Sequence, residues 1–158
     1  MRHTIKMLGL VLGMALSACE GGGEQNAFGK FVGAWRATAG TVTTTCPGYA
    51  SETQALTGTT TWSQGVGSDL VSTDGLVSCP LMADVSASTA TGLPGQSCTE
   101  ADATGATATI MLTGYTFVLS PDGRTGTENA SGQITYTEQG AIVVCSFNES
   151  GSYQKISN

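Results

Sequence analysis

The side chains that could do chemistry in this chain are few: one histidine, His3, five cysteines and twelve carboxylates among 158 residues. His3 lies in a stretch laid out like a secretory signal. Arg2 and Lys6 precede an apolar run from Met7 to Leu16, and the small residues Ser17 and Ala18 precede Cys19. At about ten residues the run is too short to cross a bilayer core, which needs about 20. Cleavage before Cys19 would leave no imidazole, which excludes Ser-His-Asp and Cys-His catalysis and any histidine-based zinc or iron site. A carboxylate pair of the glycosidase kind survives that exclusion. Asp69, Asp74, Asp84, Glu100, Asp102, Glu128, Glu138 and Glu149 could supply it. Most of them lie beside turn signals or on the polar parity of strands, so they read as a solvated acidic surface. The expectation is a protein that is not an enzyme, with no catalytic residue, no metal and no cofactor.

Cys46, Cys79, Cys98 and Cys145 form an even set in a chain routed out of the cytoplasm, where disulfides form and persist. Zinc is the alternative, but metal cysteines come as pairs two to four residues apart, whereas these are separated by roughly 20 to 50 positions. Four cysteines allow three connectivities. The preferred one joins Cys79 to Cys98 locally and Cys46 to Cys145 across the domain. The second bridge would close a loop of about 100 residues, nominally worth about 4.7 kcal/mol in the chain-entropy treatment.

Leu16-Ser17-Ala18-Cys19 resembles the lipobox of bacterial lipoproteins. The resemblance implies a diacylglyceryl group on the Cys19 thiol, cleavage before that residue, and acylation of the new amino terminus, palmitate included. The signal peptide would then be residues 1–18. A single myristoyl chain binds membranes only marginally, so the two or three chains expected on Cys19 are what would hold the protein. In related sorting systems an Asp after the lipidated Cys favours inner-membrane retention. Glu20 stands there instead, which points to the outer membrane of the cell envelope. The polar, glycine-rich run from Glu20 to Asn26 has nothing to bury and reads, within residues 19–29, as a flexible tether spanning about 17 Å root-mean-square.

Without the signal peptide the chain has four basic residues, Lys30, Arg36, Arg124 and Lys155, against twelve acidic ones, a net charge of −8. That sign repels phosphate backbones, and the four cations are dispersed, so neither nucleic acid nor a polybasic membrane contact is expected. Attachment must come from lipid.

The elements that position these groups read as strands. Threonine-rich runs at Thr41–Thr45 and Thr57–Trp62 favour extended backbone. Leu81, Ala83, Val85 and Ala87 alternate with polar residues, Val143, Cys145 and Phe147 share a second face, and Tyr115, Phe117 and Leu119 a third. Ile110 and Leu112 have the opposite parity to the last row, so Gly114 marks a bulge or bend. Turn signals recur at Gly65-Val66-Gly67, Asp74-Gly75, Leu93-Pro94-Gly95, Pro121-Asp122-Gly123 and Gln139-Gly140. Residues 30–158 are therefore read as one all-β domain, an antiparallel up-and-down meander of about eight strands over 33–45, 54–63, 69–73, 76–88, 106–113, 114–120, 125–137 and 141–155. A closed or partly closed barrel is preferred because closure removes edges, with a β-sandwich as the alternative.

Phe28, Phe31 and Val32 could pack as one helical turn, followed by Gly33-Ala34-Trp35 at the start of the first strand. That opening resembles the lipocalins, in which the Trp plugs the closed end of an eight-stranded barrel and an Arg near the end of the last strand packs across it. Lys155 is the only cation in the corresponding place. The leading functional expectation is a lipid-anchored envelope protein with a non-enzymatic binding or structural role, whose partner could be another envelope protein. The lipocalin-like alternative is a carrier of a small apolar ligand in a cavity lined by Trp35, Trp62, Tyr115, Phe117 and Phe147. A carboxylate-dependent hydrolase is third.

Overall fold

Alternation with a period of two governs the fold. The computed structural model describes residues 27–74, 80–101, 105–138 and 140–158. Apart from a 3₁₀ turn over Phe28–Lys30, its regular elements are ten strands: β1 (Gly33–Thr45), β2 (Glu52–Ala55), β3 (Thr59–Gln64), β4 (Leu70–Asp74), β5 (Leu81–Ser86), β6 (Thr89–Gly92), β7 (Ser97–Ala101), β8 (Thr107–Leu119), β9 (Thr125–Glu138) and β10 (Ala141–Lys155). On β5, Leu81, Ala83 and Val85 are shielded while Met82, Asp84 and Ser86 are exposed, the faces expected from the sequence.

Eight strands close a barrel in the order β1-β3-β4-β5-β6-β8-β9-β10, every neighbour antiparallel. β10 completes the ring against β1, paired from Trp35↔Lys155 to Thr45↔Ser146 with one register shift between Ala37 and Ala39, and this closure excludes the sandwich. β2 and β7 lie off the ring. β3 pairs with β1 at Gly33–Arg36, whereas β2 takes the same edge further on, at Thr41–Thr44. β8 likewise pairs with β6 at Thr116–Val118 and with β7 at Thr107–Met111. β1, β8, β9 and β10 thus run beyond the short strands and carry β2 and β7 as flanks at the barrel mouth.

Several expected boundaries are corrected. The strand expected over 54–63 is β2 and β3, separated by Leu56-Thr57-Gly58, and Leu56 packs against the core. The strand expected over 76–88 spans Leu81–Ser86 among the described residues, because Ala87, at φ 53°, turns the chain back into β6. β6 and β7, each five residues or fewer, were not anticipated. The strands expected over 106–113 and 114–120 are one, β8, with a register shift between Leu112 and Gly114. That bulge lets Ile110 and Leu112 share a face with Tyr115, Phe117 and Leu119 despite their opposite parity.

The narrow end is filled by aromatic rings. Phe117 lies 5.2 Å from Trp35, 5.6 Å from Tyr153, 6.2 Å from Phe31 and 6.4 Å from Trp62, centre to centre. Its ring also covers Gly126, where an added Cβ would come within 2.5 Å of it. Val85 packs partly buried against this cluster. Val143, on the face it shares with Cys145 and Phe147, pairs with Tyr136 where β9 and β10 project and is only half-buried. Phe28, assigned by sequence to the tether, also packs on the core. A disulfide joins Cys46 to Cys145, 99 positions apart, tying the end of β1 to β10 as expected. Cys98 is disulfide-bonded too, and Cys79, its expected partner, lies outside the described residues. So do the signal segment, Cys19, the Glu20–Asn26 stretch and Asp102, as well as the side chains of Asp74 and Glu138.

Candidate functional site

The register of β8, β9 and β10 lines one inner wall. On β9, Gly126, Glu128, Ala130, Gly132 and Ile134 face inward. They pair with the inward row Leu119, Phe117, Tyr115, Leu112 and Ile110 of β8 on one side. On the other side they meet Tyr153, Gly151, Glu149, Phe147 and Cys145 of β10. The large rings of this wall, Phe117 and Tyr153, lie toward the closed end. Ile110, Leu112, Ile134 and Phe147 lie on the other side, toward the mouth, and border open space.

A cavity of about 260 Å³ occupies that space. Leu81, Ile110, Leu112, Ile134 and Phe147 give it apolar walls, with Val42 and Ala130 between them. Its polar groups include Thr60, Gln96, Tyr115, Tyr153, Glu128 and Glu149. The described residues that line it include no Lys, Arg or His. Glu128 is 8% exposed and Tyr115 6%.

Glu128 and Glu149 correct the sequence reading, which placed both on a solvated surface. They are diagonal neighbours on one face of the β9–β10 pair, because Glu128 lies opposite Gly151 and Glu149 opposite Ala130. Diagonal positions of this kind are about 7 to 8 Å apart. The signal was present in the alternation. Glu128 falls on the parity of Gly126, Ala130 and Ile134, and Glu149 continues the row Val143, Cys145, Phe147. Asp69 and Asp84 do lie at the surface. Asp69 accepts a hydrogen bond from the Val85 backbone N–H at 2.7 Å.

Tyr115 is a buried polar group of the cavity lining. Its hydroxyl is buried and has no hydrogen-bond partner among the described residues. Burial, followed by the nearby Glu128 carboxylate, holds the phenol well above its usual pKa of 10.0. After burial itself, Glu128 is the side chain that acts most strongly on this hydroxyl.

The five expected cavity residues divide between two places. Tyr115 and Phe147 line the cavity, whereas Trp35, Trp62 and Phe117 are fully buried in the cluster that seals the narrow end. Their size is the reason: three large aromatics fill the taper and leave no space around themselves. Trp35 is pinned further by its indole N–H, which donates to the Phe31 carbonyl at 2.7 Å, and by Lys155, whose ammonium sits over its ring. Lys155 thereby occupies the place across the Trp where the lipocalin resemblance calls for an Arg.

Among the described residues, no three His, Cys, Asp or Glu side chains converge as a metal ion would require, and no helix is long and apolar enough to cross a membrane. No family model matches the chain, and no curated protein or solved structure matches it significantly.

Proposed function

We propose that this protein is a lipid-anchored envelope protein without catalytic activity that binds a small, largely apolar molecule in the mouth of its barrel. The observation that carries this reading is the cavity of about 260 Å³ with walls of Leu81, Ile110, Leu112, Ile134 and Phe147. Ligand sites are concave and mostly apolar with a few convergent polar groups, and a volume just below their usual range of about 300 to 1,000 Å³ suits a small molecule. The anchor rests on the resemblance of Leu16-Ser17-Ala18-Cys19 to a lipobox. Ala27 is eight residues beyond Cys19 and leads into the turn at the closed end. A lipid on Cys19 would therefore hold the narrow end within about 28 Å of the bilayer, the extended reach of eight residues. The mouth would face away from it.

Solvent extraction of the purified protein followed by mass spectrometry tests the binding reading. Wild type should release a defined apolar molecule that a cavity-filling Leu112→Trp variant of unchanged melting temperature does not. Identical extracts from the two would remove the carrier reading. Feeding cells an alkyne analogue of palmitate tests the anchor, because label should be incorporated by wild type and lost in Cys19→Ser.

The pairing of Glu128 with Glu149 is the one observation that favours the hydrolase reading. Hydrocarbon walls argue against it, since a glycoside needs polar partners for its hydroxyls along the whole site.

A further inference from the structure

We infer that the molecule held in the barrel is an amine in its protonated form, with its hydrocarbon part between Ile110, Leu112, Ile134 and Phe147 and its ammonium group at the floor beside Glu128 and Glu149. The inference rests on the reading of the cavity as a ligand site and adds the chemical class of the ligand.

Three observations support it. The two acidic side chains reach one cavity from adjacent strands, Glu128 from β9 and Glu149 from β10. No basic side chain stands among the described residues that line it. Low-dielectric walls strengthen the attraction of paired carboxylates for a positive charge and disfavour an anion of any size. Both glutamates take part in interactions within the fold, so the site requires their charge and not a vacant lone pair.

The third observation is independent of charge. Tyr115 lines the same cavity, is 6% exposed, and carries a buried hydroxyl without a hydrogen-bond partner among the described residues. A buried polar group left unsatisfied is costly, and a ligand that pairs with it recovers that cost on binding. The phenol stays protonated because burial and the Glu128 charge oppose its ionisation. Its oxygen lone pairs are then free to accept an ammonium N–H while the carboxylates balance the charge. An anion would meet repulsion from both glutamates, and a hydrocarbon alone would leave the hydroxyl unpaired.

The ligand is unidentified, so three probes of one shape and different head groups make the test: 2-phenylethylammonium, 2-phenylethanol and phenylacetate. Each is titrated calorimetrically into the full-length protein in phosphatidylcholine nanodiscs, with empty nanodiscs as the blank. The ammonium should bind at least tenfold more tightly than the alcohol, and phenylacetate should not bind measurably. Glu128→Gln should bring the ammonium to within about threefold of the alcohol while leaving the alcohol's own affinity within twofold. Glu149→Gln, at a less buried position, should act in the same direction and serves if Glu128→Gln does not fold. Tyr115→Phe should weaken the ammonium by a larger factor than the alcohol, because a charged donor loses the stronger hydrogen bond. Equal affinity for ammonium and alcohol in wild type, or preference for the carboxylate, overturns the inference and leaves an apolar cavity reading intact. Failure of all three probes to bind overturns both.

Discussion

The Lys155 ammonium lies 5.6 Å from the centre of the Trp35 ring and donates a hydrogen bond of 2.9 Å to the Lys30 carbonyl. One cation thus joins the last strand to the first and to the turn before it, at the end of the barrel where Trp35 is completely buried. A cation over an indole contributes about 0.5 to 2 kcal/mol, and a hydrogen bond adds about 1 kcal/mol. Lys155→Met keeps the stem and removes both interactions, so it should destabilise by about 1 to 2 kcal/mol. Lys155→Arg should remain within about 0.5 kcal/mol of wild type, because a guanidinium also stacks on aromatic faces. Trp35→Ala should cost about 3 to 5 kcal/mol, as expected for an emptied aromatic site. Denaturant midpoints measure all three, and a neutral Trp35→Ala would contradict the sealing role given to the ring.

Gly33 is held against the end of the chain. The Ala34 N–H donates to the Ser157 carbonyl at 3.2 Å, the Ile156 N–H donates to the Ala34 carbonyl at 2.8 Å, and a Cβ on Gly33 would collide with the Ser157 oxygen. Its φ of 124° is also a conformation that other residues adopt only under strain. Gly33→Ala should therefore destabilise by roughly 2 kcal/mol or more. Gly29→Ala, where nothing lies within 4 Å of the added carbon, should stay within about 0.5 kcal/mol. Comparable losses in the two variants would show that Gly33 is not specially constrained.

Much of this was legible in the residues, because alternation is a local property. The bounds of β1 and β10, the inward rows of β5, β8 and β10, and the bulge before Gly114 all follow from period-two patterning broken by glycine. The short strands β6 and β7 were not legible. Thr89–Gly92 and Ser97–Ala101 have too few apolar residues for a pattern, and they are strands because β5 and β8 offer them edges to pair with. Glu128 follows the inward parity of Gly126 and Ala130, a row the sequence reading does not trace, and its charge reads as surface because carboxylates are so seldom buried. The division of the aromatics between plug and cavity depends on how far each strand extends past its neighbours, which no local pattern encodes.

The bridge between Cys46 and Cys145 closes a loop across nearly the whole domain, although the β1–β10 pairing already holds the same two segments together. Its contribution lies chiefly in restricting the unfolded chain. Cys46→Ser combined with Cys145→Ser should lower stability by about 2 to 5 kcal/mol while leaving the β-sheet circular dichroism spectrum unchanged at 25 °C. Unaltered stability would mean that the unfolded chain keeps the two segments close without the bond.

Asp122 organises the turn between β8 and β9. Its Oδ1 accepts hydrogen bonds from the Ser120 hydroxyl at 2.6 Å and the Arg124 backbone N–H at 3.0 Å. The Ser120 hydroxyl in turn accepts from the Thr125 N–H at 3.1 Å. The bond from Ser120, followed by that from Arg124, lowers the carboxyl pKa from its ordinary 3.8. A carboxyl with a depressed folded pKa stabilises the fold at pH values above its unfolded pKa, and that stabilisation is lost as the pH falls through the folded value. Asp122→Asn removes the charge at every pH. Wild type should therefore be the more stable of the two from about pH 5 upward, by a gap that is constant there and narrows progressively below about pH 4. Urea midpoints of both proteins from pH 7 to pH 2.5 measure the gap. One that is independent of pH would assign the loss to altered turn geometry and not to the carboxylate charge.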